Sequence, residues 1–360
     1  MKIAYIAETS LDNMSAYTHH VLKMCDAFSN QNNNIELFLP KNKKIINFKF
    51  LKKKFLLRSK KKFQINSVLD HQVLNFFSRS YFAFRVARSV KKKKFDLILT
   101  RSIVASFFLS LFRIKHFLEI HSELKSITKF VMINLDFINS KYIIKNIIIS
   151  KALNKIYKIK KTKTLILHDG VDIKNFKKSK IRSKTKIASY VGSFYKGRGI
   201  EIIEELAKEF KNINFHLYGH KKKFLKSKSK NIKFFGHIDY NKVPLILSNS
   251  HILLMPYSNE VSIRAKDINT ANYCSPLKMF DYLAAGKVIM SSKLDGICEI
   301  LKHNTNSIIV QKYDKDEWIK ELNYLLNNKY DIKKLSKNSL ITAKKNTWEL
   351  RVKKIIEMNR

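Results

Sequence analysis

Glycine is missing from the first 169 residues; all eight glycines of this 360-residue chain lie between positions 170 and 296. Glycine lets a backbone take positive φ and approach a phosphate closely, so a glycine-rich phosphate loop is excluded from the first half and assigned to the second. Cysteine is scarce too. Cys25, Cys274 and Cys298 lie far apart and form no CxxC pair, which indicates neither a disulfide framework nor a zinc site and fits a reducing compartment. Long apolar runs are lacking: the stretch Ile103 to Leu111 meets Arg113 well short of the roughly 20 residues a membrane-spanning helix needs. The opening MKIAYIAETS reaches Glu8 too soon for a secretory signal and reads as a first β-strand. A cytoplasmic protein is expected.

Acidic residues are also few, 28 against 71 Lys plus Arg, for a formal net charge of +43. Such an excess points to a polyanionic partner, whether a membrane surface, a nucleic acid or a phosphorylated substrate. The abundance of Asn and Ile beside Lys also fits an AT-biased genome that loads a solvated surface with lysine, and both explanations stand. The run Lys41–Lys62 concentrates the charge, with eleven basic residues, no acidic one and interleaved Phe, Leu and Ile. It suits an anionic inner-membrane surface, apolar side chains among acyl chains and cations on headgroups, or simply a solvated basic face. No nucleic-acid recognition motif accompanies it, so no specific nucleic acid is expected.

What is present is 45% hydrophobic residues in a chain about two domains long. Short apolar runs recur with helical patterns between them: Lys2–Ala7, Ile35–Leu39, Asp96–Thr100, His116–Ile120, Ile147–Ser150 and Leu165–His168. After the basic stretch Lys177–Lys186 a second series follows: Ile187–Val191, Phe215–Tyr218, Ile232–Phe235, Ile252–Met255, Val288–Ser291 and Ser307–Val310. Alternating strands and helices at this spacing imply parallel sheets covered on both faces. The expected organisation is a first domain over 1–176, a linker over 177–186, a second domain over 187–342 and a final helix within 343–360.

Two segments of the second domain could hold an anion. In CSPLKMFDYLAAGKVIMSS, Ser275 is a good N-cap, Pro276 suits the first helical position, Leu277, Phe280, Tyr282 and Leu283 form an inner face, and Gly286 ends the helix. A helix start offers free N–H groups and partial positive charge to a diphosphate, Lys278 adds a cation, and Asp281, about 7.5 Å further along the axis, reaches a ribose diol. In ASYVGSFYKGRGIEIIE, a strand, a turn punctuated by Gly192, Gly197 and Gly199, and a helix bring Lys196 and Arg198 to a second such site. The spacing is neither GxGxxG nor a P-loop, so neither of those mechanisms is indicated.

The ordered set HDGVDIKNF, YVGSFYKGRGIEII, FHLYG, IKFFGHI, ILLMPY, SPLKMFDYLAAGKVIMSS and LDGICEIL resembles the family 4 retaining glycosyltransferases of the GT-B fold, across essentially the whole second domain. The first domain resembles them more thinly, in its opening strand, FLEIH and IIISKALNKIY, and NTWELRVKKI is similar to the final helix that in this fold crosses back to the first domain. The resemblance implies two Rossmann-like, doubly wound parallel sheets facing a cleft, with a nucleotide-sugar donor in the second domain. It implies that Lys196 and Arg198, beside Gly192 and Ser193, grip the diphosphate. It further implies that Asp281 holds the ribose, that Ser275, Pro276, Leu277 and Lys278 face phosphates and sugar, that Phe235–Ile238 lies beside the base, and that His121 approaches the reacting carbon. A glycan or lipid-linked acceptor in cell-surface polysaccharide or lipopolysaccharide synthesis is implied, with no metal and no cofactor beyond the donor. Two departures stand out: Cys274 replaces the acidic residue seven positions before Asp281, and the glycine-rich turn after the first strand is replaced by ETSLDNMSAY. These leave open a silent nucleotide- or glycan-binding protein, and the charge leaves open nucleic-acid binding.

Overall fold

The structure is a computed structural model that describes residues 1–11, 15–41, 47–69, 75–157, 159–177, 185–219, 229–263, 266–311 and 313–359. It divides into two units, Met1–His168 with Trp348–Arg360, and Asp169–Thr347.

The first unit is built on seven strands: β1 (Lys2–Ile6), β2 (Asn34–Leu39), β3 (Gln64–Ser67), β4 (Leu97–Thr100), β5 (His116–Ile120), β6 (Ile143–Ile148) and β7 (Thr164–Ile166). They lie in the order β3-β2-β1-β4-β5-β6-β7, all parallel. The central strands read as unbroken apolar runs because both faces are covered: β4, LILT, and β5, HFLEI, are buried throughout. Its helices are α1 (Ala16–Asn30), α2 (Phe48–Phe55), α3 (Phe76–Lys93), α4 (Ile103–Leu111), α5 (Ser126–Lys129) and α6 (Lys151–Asn154). Several start on the side chains that favour such starts. Ser15 accepts from the Thr18 amide, Ser102 from that of Ala105, and Asn75 and Ser78 form a reciprocal capping box.

The second unit has six parallel strands, β8 (Lys186–Val191), β9 (Ile213–Tyr218), β10 (Ile232–Gly236), β11 (Ile252–Met255), and, after a small antiparallel pair, β12 (Ser262–Ile263) and β13 (Lys266–Asn269), the strands β14 (Val288–Ser292) and β15 (Ile308–Val310). Their order is β10-β9-β8-β11-β14-β15. The helices are α7 (Ile200–Glu209), α8 (Val243–Ser248), α9 (Leu277–Ala285), α10 (Asp295–Cys298), α11 (Lys315–Leu326) and α12 (Ile332–Lys345). The closing helix α13 (Trp348–Glu357) belongs to the first unit, where the Gln31 side chain of α1 donates to the Glu349 carbonyl and Arg351 donates to the Leu167 carbonyl. Among the described residues no helix is long and apolar enough to cross a membrane.

The structure departs from the sequence expectations at the unit boundaries, in the first sheet and at the start of α9. The unit boundary falls at Asp169, ahead of the expected linker, because the Val171 amide donates to Asn346 and Val171 bridges Thr347, tying that segment to the second unit. The return to the first unit begins at Trp348 rather than 343, since α12 runs on to Lys345. Residues 178–184 of the expected linker lie outside the described residues. The strand expected over Ile147–Ser150 runs from Ile143 to Ile148, and β3, a polar QINS segment at the sheet edge, was not anticipated. Finally, Ser275 does not cap α9. Pro276, with ψ of 133°, is the capping position, the helix opens at Leu277, and the buried Ser275 hydroxyl has no hydrogen-bond partner. Leu277 is half-buried rather than part of the inner face, which Met279, Phe280, Tyr282 and Leu283 supply.

The run Lys41–Lys62 is described apart from 42–46. Of its described apolar side chains Leu51, Phe55 and Leu57 are buried, Phe48 and Leu56 are half-buried, and Phe50 is exposed. The Arg58 and Ser59 amides donate to the Asp26 carboxylate of α1. Among the described residues of the run, half of the apolar side chains are therefore used in the core.

Candidate functional site

In a doubly wound sheet, ligands bind at the carboxyl ends of the strands where the strand order reverses. In the second sheet that point lies between β8 and β11. The turn after β8 carries Gly192, Ser193, Lys196, Gly197 and Arg198 and leads into α7, while β11 runs into Pro256 and Tyr257. Tyr282 fastens α9 here, its phenol accepting from the Val191 amide at the end of β8 and donating to the Leu254 carbonyl of β11. Lys278, one helical turn earlier on the same face, is thereby brought under the turn, so close that a β-carbon on Gly192 would meet its Nζ at 2.4 Å.

Two cations converge on this point. The Lys278 Nζ is buried, lies 3.7 Å from the centre of the Tyr190 ring and 5.2 Å from that of Tyr257, and has no hydrogen-bond acceptor. The Arg198 guanidinium stacks over the other part of the site, 4.6 Å from the Tyr257 ring centre; one Nη donates to the Ser262 carbonyl at 3.2 Å, while its Nε is buried without a partner. Burial, then the charge of Arg198, holds the Lys278 ammonium well below its ordinary range. Aromatic faces compensate a buried cation only in part, so the pair is electrostatically incomplete and suited to an anion. The N-terminus of α7, whose first residue follows Gly199 directly, adds backbone donors there.

The other expected donor residues take separate places. Lys196 is exposed and pairs with Glu260 at 2.8 Å, away from the buried pair. Asp281 accepts from the Tyr240 phenol at 2.9 Å. Ile238, two residues before Tyr240, is half-buried and packs against the core, whereas Phe235 stacks on Tyr218 with ring centres 4.6 Å apart and 11° between planes. Ser193 receives the Tyr190 hydroxyl on its carbonyl. Cys274 keeps its proton, its thiol pushed up to about 12 by burial, so it supplies no negative charge where the acidic residue was expected. Sequence reasoning missed Tyr190, Tyr257 and Tyr240. The available signal was position, since Tyr257 directly follows an apolar strand.

In the first unit the corresponding switch point lies between β1 and β4. Glu8, directly after β1, accepts from Ser102 and from Arg79 Nε at 2.6 Å, and Arg101, after β4, sits 4.0 Å from the Tyr17 ring centre. His121, at the end of β5, places Nε2 2.9 Å from Glu119 Oε1. The same oxygen is 3.0 Å from His20 Nε2 and also accepts from Arg351, while Oε2 accepts from Tyr5 at 3.1 Å. Burial alone would raise the Glu119 pKa, but His20, Arg351 and His121 bring it well below the ordinary range; burial and then Arg101 push His121 down. A carboxylate thus fixes the proton of a neutral His121 on Nε2. His20, Glu119 and His121 are close enough to share a metal ion, although the guanidinium of Arg351 already engages the oxygen on which they converge.

Residues 171–342 match the family model described as glycosyl transferases group 1. Solved structures align over nearly the whole chain. A glycosyltransferase from Rickettsia africae has 14% identity and a TM-score of 0.76, with 99% of this chain and 97% of that one covered. HepE of Anabaena, in complex with UDP-glucose, has 14% identity and a TM-score of 0.71, with coverage of 99% and 98%. The lipopolysaccharide outer core galactosyltransferase WaaB has 15% identity and a TM-score of 0.71, with both chains covered completely, at 100%. No curated protein matches the chain. Residues 171–342, nearly the whole second unit, thus resemble the glycosyl transferases group 1 family, and the chain has the GT-B fold.

Proposed function

We propose that the chain is a retaining, family 4 glycosyltransferase that moves a sugar from a nucleotide-sugar donor, held in its second unit, to a lipid-linked or cell-surface glycan acceptor. The observation that carries this reading is the buried Lys278 ammonium, without a hydrogen-bond acceptor, at the Gly192 turn. Burying an uncompensated cation is costly, and two cations at one turn suit a doubly charged diphosphate. Arg198 and Lys278 grip its oxygens, Lys196 adds charge from the rim, and the Ser193 amide and those opening α7 and α9, at Leu277 and Lys278, contribute donors; Gly192, whose amide is held by the Tyr218 carbonyl, gives the close approach that a side chain there would block. Asp281, held by Tyr240, accepts from the ribose; Ser275 and Pro276 shape the wall beside the sugar, and Ile238 flanks the base. The UDP-glucose bound by HepE supports the donor class, and the lipopolysaccharide role of WaaB supports the acceptor class.

In the reaction, the bond from the anomeric carbon to the diphosphate oxygen breaks and a bond from that carbon to the acceptor oxygen forms on the same face. The acceptor's proton passes to the departing diphosphate. The chain's contribution is electrostatic: Arg198, Lys278 and the helix start stabilise the charge that develops on the diphosphate, and neutral His121, its Nε2 proton held by Glu119, offers Nδ1 as a hydrogen-bond acceptor. These groups supply the positive charge that a divalent ion provides elsewhere, so turnover is expected to survive EDTA. A silent binding protein is the second reading, favoured by the protonated Cys274 thiol in place of a carboxylate.

The test is a thermal-shift and turnover panel of UDP-, GDP-, ADP- and CMP-sugars on the wild type and Lys278→Met. One nucleotide family should stabilise the wild type. Loss of a charge-assisted contact worth about 1.5–3 kcal/mol should weaken that donor roughly tenfold to a hundredfold in the variant, while the ligand-free variant should be at least as stable as wild type. Binding without nucleotide release would favour the silent protein; no stabilisation by any donor would falsify the donor site.

A further inference from the structure

Beside its switch point, at the start of α4, the first unit has an apolar cleft between α3, α4, α5 and the π-helical turn Phe130–Asn134, about 620 Å³ including its open mouth. Phe76, Ile103, Phe107, Ile127 and Val131 line it, and Ser80 and Thr128 contribute hydroxyls. Its surroundings are not those of an ordinary solvated surface. The outer face of α3 carries Phe77, Tyr81 and Phe84 at helical spacing, with Phe77 81% exposed; across the cleft Phe130 and Leu135 are exposed as well. Contiguous exposed apolar surface of this kind marks a docking site on a soluble protein.

The charge pattern identifies what docks. Along α3 the charged positions are Arg79, Arg85, Arg88, Lys91, Lys92 and Lys93, with no acidic residue, and the opposite wall adds Lys125 and Lys129. Arg79 is held by Glu8, Lys93 by Glu36 at 2.7 Å, and Lys129 lies 4.0 Å from Glu123; Arg85, Arg88, Lys91, Lys92 and Lys125 have no acidic partner among the described ion pairs. A second copy of a chain with net charge +43 is disfavoured by repulsion. An apolar slot with a cationic border fits a molecule that is apolar along its length and anionic at its end. We propose that this cleft receives an acyl chain of an anionic membrane phospholipid, with the free cations of α3 and Lys125 on its phosphate. The inference stands on the cleft and its border alone, and it survives if the donor site fails.

The experiment uses the full chain carrying Phe77→Trp, with vesicles of phosphatidylglycerol or phosphatidylcholine whose acyl chains are brominated. Native Trp318 and Trp348 are buried and provide a constant background. Expected are a blue shift and strong quenching of the Phe77→Trp signal by brominated phosphatidylglycerol vesicles, several times weaker with phosphatidylcholine. Tyr324→Trp, exposed on the second unit, should remain unquenched. Adding Thr128→Asp to Phe77→Trp changes the net charge by one and should abolish most of the quenching; Ser80→Asp serves if that variant fails to fold. Vesicle binding without quenching, equal quenching at Tyr324→Trp, or quenching that both acidic variants retain would each overturn the proposal. So would a blue shift that grows with protein concentration in the absence of lipid, which would assign the face to a second copy.

Discussion

His116, buried at the start of β5, has Nδ1 2.9 Å from the Ile114 carbonyl and Nε2 2.7 Å from Ser106 Oγ. A carbonyl only accepts, so Nδ1 carries the proton, and Nε2 accepts from the serine hydroxyl. This arrangement fits a neutral ring, and burial lowers the pKa from 6.5 to about 4. Between these values the unfolded chain binds a proton that the folded chain refuses, so stability is complete above pH 6.5 and falls as pH drops toward 4. A shift of this size corresponds to about 3 kcal/mol. Urea midpoints measured from pH 7 to 4.5 should decline more steeply for wild type than for His116→Gln; identical slopes would show that His116 titrates as in the unfolded chain. The residue scale is also where the site was least legible in the sequence. Lys196 and Lys278 are both lysines in promising loops, yet one is a solvated partner of Glu260 and the other a buried cation, because Tyr282 draws α9 under the Gly192 turn. His20 and Arg351 lie far in sequence from Glu119, and only the packing of α1 and α13 beside β5 brings them to one oxygen.

The element that most depends on a single backbone conformation is the turn into α7. Gly199 has φ of +73° and a β-carbon there would come within 1.7 Å of the Pro256 carbonyl oxygen. Gly199→Ala therefore combines left-handed strain of roughly 1–2 kcal/mol with displacement of the backbone after β11, for a total loss of about 3 kcal/mol or more. Gly236 has a similar φ of +72° but nothing within 4 Å, so Gly236→Ala isolates the conformational part. A urea series on the two variants should rank them in that order, and donor affinity should fall for Gly199→Ala only; equal losses would mean that Pro256 yields readily. Elements of this type were legible because strand, glycine turn and helix follow one another within a dozen residues. β3 was not, since QINS is a polar, half-exposed edge segment without the apolar run that identified the central strands. The start of α9 was misplaced by one residue for a related reason: a Ser-Pro pair fits a capped start in either register, and the inward turn of Ser275 depends on packing.

At the scale of the whole molecule, motif order made the second unit readable almost from end to end, and the family match covers 171–342. The first unit was readable mainly as alternating strands; its specific groups, Glu8, Arg101 and the Glu119 cluster, are scattered over the sequence. Charge has a further consequence at this scale. Even with every acidic residue matched to a base, 43 cations would be unmatched, so mutual repulsion opposes the compact state. Salt acts on both signs of interaction. It weakens exposed pairs such as Lys196–Glu260, but these contribute only about 0–1 kcal/mol each. It also shortens the screening length from roughly 30 Å at 0.01 M to about 10 Å at 0.1 M, which removes repulsion among many cations at once. Repulsion is the larger effect, so thermal unfolding should shift upward, on the order of 5 °C, between 10 and 300 mM NaCl. Because the two units can unfold separately, calorimetry should follow each transition. A flat or falling response would mean that the cations are spaced widely enough for water alone to screen them, and that the net charge does not burden the fold.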